Sequence, residues 1–407
     1  MNKKIPLGAA IAFMVVVAGL TFCITMMVSL NHFNTMVLNV KEREEVYKKL
    51  ADVDRESRQR YAGQIDEEYL SDSISRGYVR GLGDAYSSYL TKDEYEERLQ
   101  EQNGQLVSIG ATIVKDTTGY MRIRKVIAGS PAEQEGLRQG DLLISLDGVD
   151  LQAVSQTAAE RLLKGQEGTK VAIVYRRDGV DASEDFTRRA LEMEYIEYRM
   201  IDTNGYIKIT DFNSRTFSQF KKAADSLIRQ GATGLILDVR DNTSDSVNAA
   251  ADVLDMLLPG GTLGTIVEKG TSGDVSRELV SDQYEVALPM VVLINSRTGC
   301  AAEFFAAGLR DFRQGDESLK RAQCVGTQTL GKSAIQELLP LVDGSALNLT
   351  TAHFLTPDGT DLAGAGIKPD YEVRLSAEQE QGFDQLTDET DPQIRKALEV
   401  VNSRKLS

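Results

Sequence analysis

The stretch that decides the fold is residues 291–310, Val-Val-Leu-Ile-Asn-Ser-Arg-Thr-Gly-Cys-Ala-Ala-Glu-Phe-Phe-Ala-Ala-Gly-Leu-Arg. Its first four residues are apolar and mostly β-branched, which is typical of a strand covered on both faces. Thr298 and Gly299 permit a sharp turn. Glu303 falls in the first turn of a following helix, where the helix dipole favours an acid. The stretch therefore predicts a strand, a turn and a helix, with Cys300 at the positive end of that helix.

Cys300 has two interpretations at this point. A thiol at a helix N-terminus has a stabilised thiolate, which predicts a lowered pKa and a nucleophilic side chain. Most cysteines, however, are small buried residues without chemistry. The stretch by itself leaves both interpretations open.

Length and composition narrow the class of protein. The chain has 407 residues, which indicates two or three domains, and 42% of them are hydrophobic. Its net charge is −15, from 61 acidic and 46 basic residues. This acidic balance, without a basic stripe, argues against a nucleic-acid partner.

The scarcity of histidine and cysteine limits the available chemistry. The chain has two histidines and three cysteines, without the spacing of a metal site, so we expect neither a metal nor another cofactor. His32 lies beside the N-terminal apolar run, so His353 is the remaining candidate for a histidine base. A nucleophilic enzyme built on this chain would more plausibly use lysine as its base.

The N-terminus predicts a membrane anchor. Residues 5–30 form an apolar run without a charged residue, long enough to span a bilayer of about 30 Å as a helix. Lys3 and Lys4 before it predict a cytoplasmic N-terminus with the bulk of the chain outside the membrane. A cleaved signal peptide is the alternative, but the run is long and no Ala-x-Ala site follows it.

The next segment is expected to be helical. Residues 40–60 are charged, with Val46, Leu50 and Val53 at heptad-like spacing, so this helix is a candidate for self-association into a homo-oligomer. A further helix is expected over 66–90. Thr91 and Glu94 then form a capping-box pattern before another helix.

From residue 107 the pattern changes to short strands separated by turns, with two short helices over 131–136 and 154–163. Within it, the motifs at 108–111, 128–132, 136–143 and 146–148 resemble a PDZ domain of the bacterial protease type. The resemblance implies a peptide groove between the second strand and the last helix. There the backbone amides of Ser108, Ile109, Gly110 and Ala111 would bind a terminal carboxylate. A PDZ fold used only for packing is the alternative.

From residue 204 strands and helices alternate. Strands are expected at 204–210, 234–240 and 291–294, with helices at 216–230, 246–258 and after Cys300. This rhythm is typical of a parallel or mixed sheet covered by helices. The fold class is therefore α/β (mixed α+β): an N-terminal transmembrane helix, a helical segment, a PDZ-like domain and a mixed-sheet domain.

Residues 326–333, Gly-Thr-Gln-Thr-Leu-Gly-Lys-Ser, match the Walker A pattern of a phosphate-binding loop. Such a loop lies between a strand and a helix. Residues 333–340 instead have the pattern of a strand that ends at proline, which argues against nucleotide binding.

A second family resemblance accounts for much more of the chain. The motifs at 331–336, 349–352, 356–359 and 366–370 resemble the carboxyl-terminal processing peptidases, also called tail-specific proteases. So do the motifs at 86–95, 205–209 and 235–240. With the PDZ-like segment, the resemblance runs from about residue 65 to 375. It implies a peptidase with a serine nucleophile and a lysine base, acting on tails of exported or unfolded proteins.

Carried over by motif position, the resemblance makes Lys332 the base and Gln336 the residue that orients it. The nucleophile's position falls on Cys300, so this chain has a thiol where the family has a hydroxyl. The family's oxyanion loop contains glycines after the Leu-Asp-x-Arg strand, whereas this chain has Asn242-Thr-Ser-Asp245. The amides of Cys300, Ala301 and Ser244 would serve the oxyanion, and Asp245 would lie close to its negative charge.

Two functions follow from these departures. One is a membrane-anchored peptidase that cleaves exported proteins near their C-termini through Cys300 and Lys332. The other is an inactive pseudopeptidase that binds C-terminal peptides as a scaffold. A disulfide between Cys300 and Cys324 would block the nucleophile. The expected organisation is an anchor (1–30), a helical segment (31–104), the PDZ-like domain (105–190), the catalytic domain (191–375) and a helical tail (376–407).

Overall fold

The structure is a computed structural model that describes residues 7–102, 105–270, 273–282, 285–312 and 321–404. The chain divides into two compact units, one ending at Ser71 and the other beginning at Asp72. Helix α1 of the first unit spans Leu7–Arg60, and helix α2 spans Glu67–Arg80, with most of its residues in the second unit. Val46 and Val53 of α1 are exposed. Self-association through this face stays a prediction.

The prediction of a single-pass membrane anchor over residues 1–30 is wrong. In the described part of the chain, no helix combines the length and the apolar character that crossing a bilayer requires. The apolar run is only the first half of α1, which continues as a charged helix to Arg60 and carries polar side chains such as Thr21 within the run. The lysines on which the predicted orientation rested, at positions 3 and 4, lie outside the described residues.

The second unit continues with strand β1 (Ser88–Leu90) and helix α3 (Lys92–Gln102). The predicted capping box of α3 is confirmed: Glu94 N donates to Thr91 Oγ1 at 3.3 Å, and Thr91 N donates to Glu94 Oε2 at 3.0 Å. These bonds occupy N–H groups that a helix start would otherwise leave without partners.

The PDZ-like segment is a small antiparallel sheet with two helices, as its sequence pattern predicts. Its elements are β2 (Gln105–Ser108), β3 (Ala111–Lys115), β4 (Met121–Val126), α4 (Pro131–Gln134), β5 (Leu142–Leu146), β6 (Val149–Asp150), α5 (Gln156–Leu163), β7 (Lys170–Arg177), β8 (Val180–Thr187) and β9 (Arg189–Glu192). The strand order is β3-β4-β5-β7-β8, with β6 beside β5, while β2 pairs with β9. Strand β3 therefore lies at an edge of the sheet.

The last part of the chain contains two further sheets. Its elements are β10 (Ile196–Ile201), β11 (Asn204–Ile209), α6 (Thr216–Arg229), β12 (Leu235–Asp238), α7 (Val247–Leu257), β13 (Gly261–Gly270), β14 (Gly273–Ser281), β15 (Met290–Ile294), α8 (Ala301–Asp311), β16 (Ala322–Gly326), β17 (Ala334–Pro340), β18 (Ala346–Leu355), β19 (Tyr371–Glu372), α9 (Ala377–Gln381) and α10 (Pro392–Arg404). One sheet has the order β10-β11-β12-β15-β16-β19 and is parallel apart from β10. The other, antiparallel, has the order β1-β18-β13-β14, with β17 also paired to β18.

The parallel sheet is covered on both faces, which explains the apolar runs of its strands. Every residue of β12 and β15 is buried. The core on one face includes residues of helices α6, α7 and α8, and the core on the other includes residues of α10. The Walker A interpretation fails here, because the residues after Lys332 form strand β17 and no helix follows the glycine-lysine turn.

Candidate active site

The candidate site lies where the parallel strands β12 and β15 end. Asp238 pairs with Leu293 in register, so the loops that follow the two strands leave the same edge of the sheet. In open α/β sheets this edge is the usual place for a site. Gly299 N donates to Asn242 O and Ala301 N donates to Ser244 O, both at 2.9 Å. These bonds join the loop before α8 to the loop after β12.

Cys300 occupies the predicted turn between β15 and α8. Its backbone has φ +48° and ψ −111°, a left-handed conformation that is uncommon for a residue with a side chain and often marks a functional turn. Phe304 N donates to Cys300 O at 2.8 Å, which begins the helix. The predicted strand-turn-helix is confirmed.

Glu303 joins this turn to the turn that carries Lys332. Its carboxylate is buried and accepts N–H groups of Cys300 at 3.2 Å, Gly331 at 2.7 Å and Lys332 at 2.8 Å, together with the hydroxyl of Thr329. Hydrogen bonds to a carboxylate are stronger than neutral ones, so Glu303 fixes the two turns relative to each other. The sequence indicated Glu303 only as a helix-start residue.

The thiol of Cys300 is buried and protonated. Burial and, to a smaller extent, the nearby Asp245 raise its pKa to about 12, while Lys332 acts in the opposite direction. Its Sγ lies 3.3 Å from Ala334 O. The sequence-based expectation of a lowered pKa is therefore wrong for this conformation, because loss of solvent outweighs the helix N-terminus.

Lys332 is held by a carboxylate. Its Nζ lies 2.5 Å from Asp245 Oδ1, and the two side chains are only 11% and 19% exposed. The other carboxylate oxygen of Asp245 accepts from Arg98 Nη2 at 2.9 Å. The ammonium also lies 4.8 Å from the ring centroid of Tyr86, within cation–π range. These contacts hold the side chain of Lys332 in place.

Gln336, expected to orient Lys332, bonds to other groups. Its Nε2 donates to Thr350 Oγ1 at 3.1 Å and to Ala334 O at 3.5 Å. Thr350 Oγ1 in turn donates to Asp84 Oδ2 at 2.6 Å. Gln336 thus lies on strand β17 close to the site, but the contact with Lys332 stays a prediction.

The three backbone amides expected at the oxyanion all have acceptors within the chain. Cys300 N donates to Glu303, Ala301 N to Ser244 O, and Ser244 N to Asn242 Oδ1 at 3.0 Å. Their role as oxyanion donors stays a prediction that requires these bonds to be exchanged.

The predicted peptide-binding residues lie between strands β2 and β3. Ser108 is the last residue of β2 and forms an isolated antiparallel β-bridge with Lys164. Ile109 and Gly110 form the turn that follows, and Ala111 is the first residue of the edge strand β3. Helix α5 lies beside β3, where Lys115 N donates to Gln156 Oε1 at 3.2 Å. Strand β3 and helix α5 are therefore neighbours, and a peptide groove between them, with a carboxylate bound at the turn, stays a prediction.

The predicted disulfide alternative is not realised. Cys300 and Cys324 are both buried and are not joined by a disulfide. Cys324 lies on strand β16, opposite Val292 of β15. The thiol of Cys300 is thus not blocked by a bridge to it.

Arg98 is a residue of this site to which no sequence pattern pointed. It lies 147 positions from its partner Asp245, on a helix that precedes the PDZ-like segment. Tyr86 lay within a motif already noted, but its contact with Lys332 was not expected.

The fold and site together define the class: a PDZ domain preceding an α/β peptidase domain. Residues 122–177 match the PDZ domain model, and residues 203–373 match the model of peptidase family S41. The carboxyl-terminal-processing protease of Synechocystis is 30% identical over 79% of this chain and 74% of its own length. The chain belongs to peptidase family S41.

Two further comparisons agree with this assignment. The carboxy-terminal processing protease CtpA of Bacillus subtilis is 31% identical over 77% of this chain and 66% of its own length. A Bacteroides fragilis protein solved as a candidate S41 protease is 16% identical, with a TM-score of 0.54 over 81% of this chain and 90% of its own. The latter likeness concerns the fold alone.

Proposed function

We propose that the protein is a peptidase that cleaves other proteins near their C-termini, with Cys300 as nucleophile and Lys332 as base. The observation that carries the proposal is that Glu303 binds the backbone of both residues through one carboxylate oxygen. Such a shared anchor keeps the two turns in a fixed relation, which a nucleophile and its base require. The named relatives, carboxyl-terminal processing proteases, support the choice of substrate class.

The reaction follows from these two side chains. Neutral Lys332 takes the thiol proton of Cys300, and the sulfur attacks the carbonyl carbon of the scissile peptide bond. The tetrahedral intermediate collapses as the C–N bond breaks, and Lys332 returns the proton to the leaving amine. Water then hydrolyses the thioester, which releases the acid and restores the thiol.

The described arrangement must change before this reaction begins. Lys332 has to leave Asp245 and lose its proton, since an ammonium cannot accept another. The amides of Cys300, Ala301 and Ser244 have to exchange their present acceptors for the substrate oxygen. One oxyanion donor is worth a factor of roughly 10² to 10³ in rate, so this rearrangement decides the rate.

The PDZ-like segment is proposed to bind the substrate's tail. A C-terminal segment would add as a strand to β3, between it and α5, with its carboxylate at the turn 108–111. The terminus would then be bound by the PDZ-like segment while an upstream peptide bond is cut at Cys300.

A second function, tail binding without turnover, is favoured by a specific observation: Lys332 is ion-paired with Asp245 while the thiol of Cys300 is protonated. A lysine held in an ion pair is not free to take the proton of the thiol. The PDZ-like groove would still bind peptides, and the protein would act as a scaffold.

Incubation of the full chain with a disordered protein, under reducing conditions, separates the two functions. The peptidase predicts fragments that disappear with Lys332→Ala and with thiol alkylation. The scaffold predicts intact substrate together with measurable binding of C-terminal peptides. Cys300→Ser serves as a control for the site: activity gained with the family's nucleophile would show that the remaining groups are competent.

A further inference from the structure

We propose that Arg98 and Asp245 form an autoinhibitory latch, which keeps the site of the proposed peptidase unreactive until their ion pair is broken. The inference rests on the proposed function and concerns its regulation. Three observations carry it: the two ion pairs of Asp245, the bonds of its loop, and the place of Arg98 in the fold.

The first observation is that one carboxylate holds both cations. Asp245 binds Lys332 Nζ through Oδ1 at 2.5 Å and Arg98 Nη2 through Oδ2 at 2.9 Å. Because Arg98 binds the second carboxylate oxygen, Asp245 turns away from Lys332 only if its pair with Arg98 also breaks or moves. The side chain of Lys332 is therefore held at Asp245.

The second observation is that the loop containing Asp245, which follows β12, also accepts a hydrogen bond from a backbone N–H next to the nucleophile. Ser244 O accepts the N–H of Ala301, and Ser244 Oγ donates to Phe212 O at 2.7 Å, which anchors the loop. Displacement of the loop would free Lys332 and the Ala301 amide together. A single movement would thus supply both the base and an oxyanion donor.

The third observation is that Arg98 lies outside the peptidase segment. It belongs to helix α3, which precedes residues 203–373, and its side chain is 38% exposed. The pair can therefore be broken from the surface without disturbing the buried sheet that holds Cys300. An exposed cation paired with a carboxylate is a contact that another charged group can replace.

Alkylation of Cys300 by iodoacetamide tests the latch without requiring turnover. If Asp245 stayed in place after Arg98→Ala, loss of a cation would leave the site more negative, and the thiol would react more slowly. If the latch opens, Asp245 leaves and the thiol reacts faster. The sign of the change therefore separates a static ion pair from a latch.

We expect Cys300 to be alkylated about tenfold faster in Arg98→Ala than in the unmodified chain, since one pKa unit changes the thiolate fraction tenfold. Asp245→Asn removes the carboxylate that raises the thiol pKa and is expected to react faster with or without a latch, so it serves as the positive control. Lys92→Ala, which removes another cation of α3, is the matched control and is expected to leave the rate unchanged. Peptide mapping assigns the label to Cys300 rather than to Cys324, and circular dichroism confirms that each variant is folded.

Two results would overturn the latch: slower or unchanged alkylation in folded Arg98→Ala, or cleavage of substrate by the unmodified chain at the same rate as by Arg98→Ala. The second result would leave the proposed peptidase intact. Faster alkylation without any cleavage would instead support the latch and count against the peptidase, so the two proposals fail separately.

Discussion

The buried thiol of Cys300 predicts how the stability of the protein depends on pH. Its pKa is about 12 in the folded chain, against 9.0 as the ordinary value. Because the folded state holds the proton more tightly, its stabilising contribution is complete below about pH 9 and is lost as pH rises towards 12. Each pKa unit corresponds to about 1.4 kcal/mol.

The measurement is the free energy of unfolding by urea, for the unmodified chain and Cys300→Ala, at about pH 8 and about pH 10. From about pH 8 to about pH 10, we expect the unmodified chain to lose about 1.4 kcal/mol of unfolding free energy relative to Cys300→Ala. The reason is that the thiol ionises in the unfolded state over this interval but not in the folded state. Groups that titrate in both proteins contribute equally to the two unfolding free energies, so their effect cancels when one value is subtracted from the other. A shift of opposite sign would mean that Cys300 is a folded-state thiolate, and no shift would mean an ordinary pKa; either refutes the reasoning.

Two further predictions use matched pairs of variants. In Glu303→Gln, an amide donor would face three backbone N–H groups and a hydroxyl that all need an acceptor. We expect the substitution to lower the free energy of unfolding by urea by about 2–4 kcal/mol. The exposed Glu337→Gln is its control, and equal losses in the two would contradict the anchoring role. Gly110→Ala is expected to abolish binding of a C-terminal peptide in fluorescence anisotropy, because its Cβ would lie 2.2 Å from Ser130 Cβ. Gly119→Ala has the same positive φ and an open neighbourhood, so similar losses of binding in both would argue against a role for the turn.

The sequence predicted the fold where local patterns carry the information. The apolar, β-branched run 291–294 and the turn at Thr298 and Gly299 specify strand β15 and the start of α8 without distant partners. The capping box at Thr91 is equally local. Such features depend on residues within a few positions of each other, so the local structure that they form could be predicted from the sequence.

The reactivity of the site could not be predicted in this way. The pKa of Cys300 depends on its burial and on Asp245, which is 55 positions away. A helix N-terminus is visible in sequence, but the loss of solvent that outweighs it is a property of the packed domain. The position of the Lys332 side chain likewise depends on contacts with Tyr86 and Asp245, in other parts of the chain.

The membrane prediction failed for a related reason. An apolar run in sequence was taken as a separate spanning segment, whereas residues 7–60 form one helix that extends well beyond it. Composition over a window does not determine where a helix ends.

The most direct test of the central claim is the mass of the acyl-enzyme. The full chain is mixed with a peptide that has a free C-terminus, quenched in acid and examined by mass spectrometry. Our account predicts an adduct on Cys300 equal to the N-terminal product less one water, absent from Cys300→Ala and Lys332→Ala. Cleavage by Cys300→Ala at the rate of the unmodified chain, or an adduct on another residue, would contradict it.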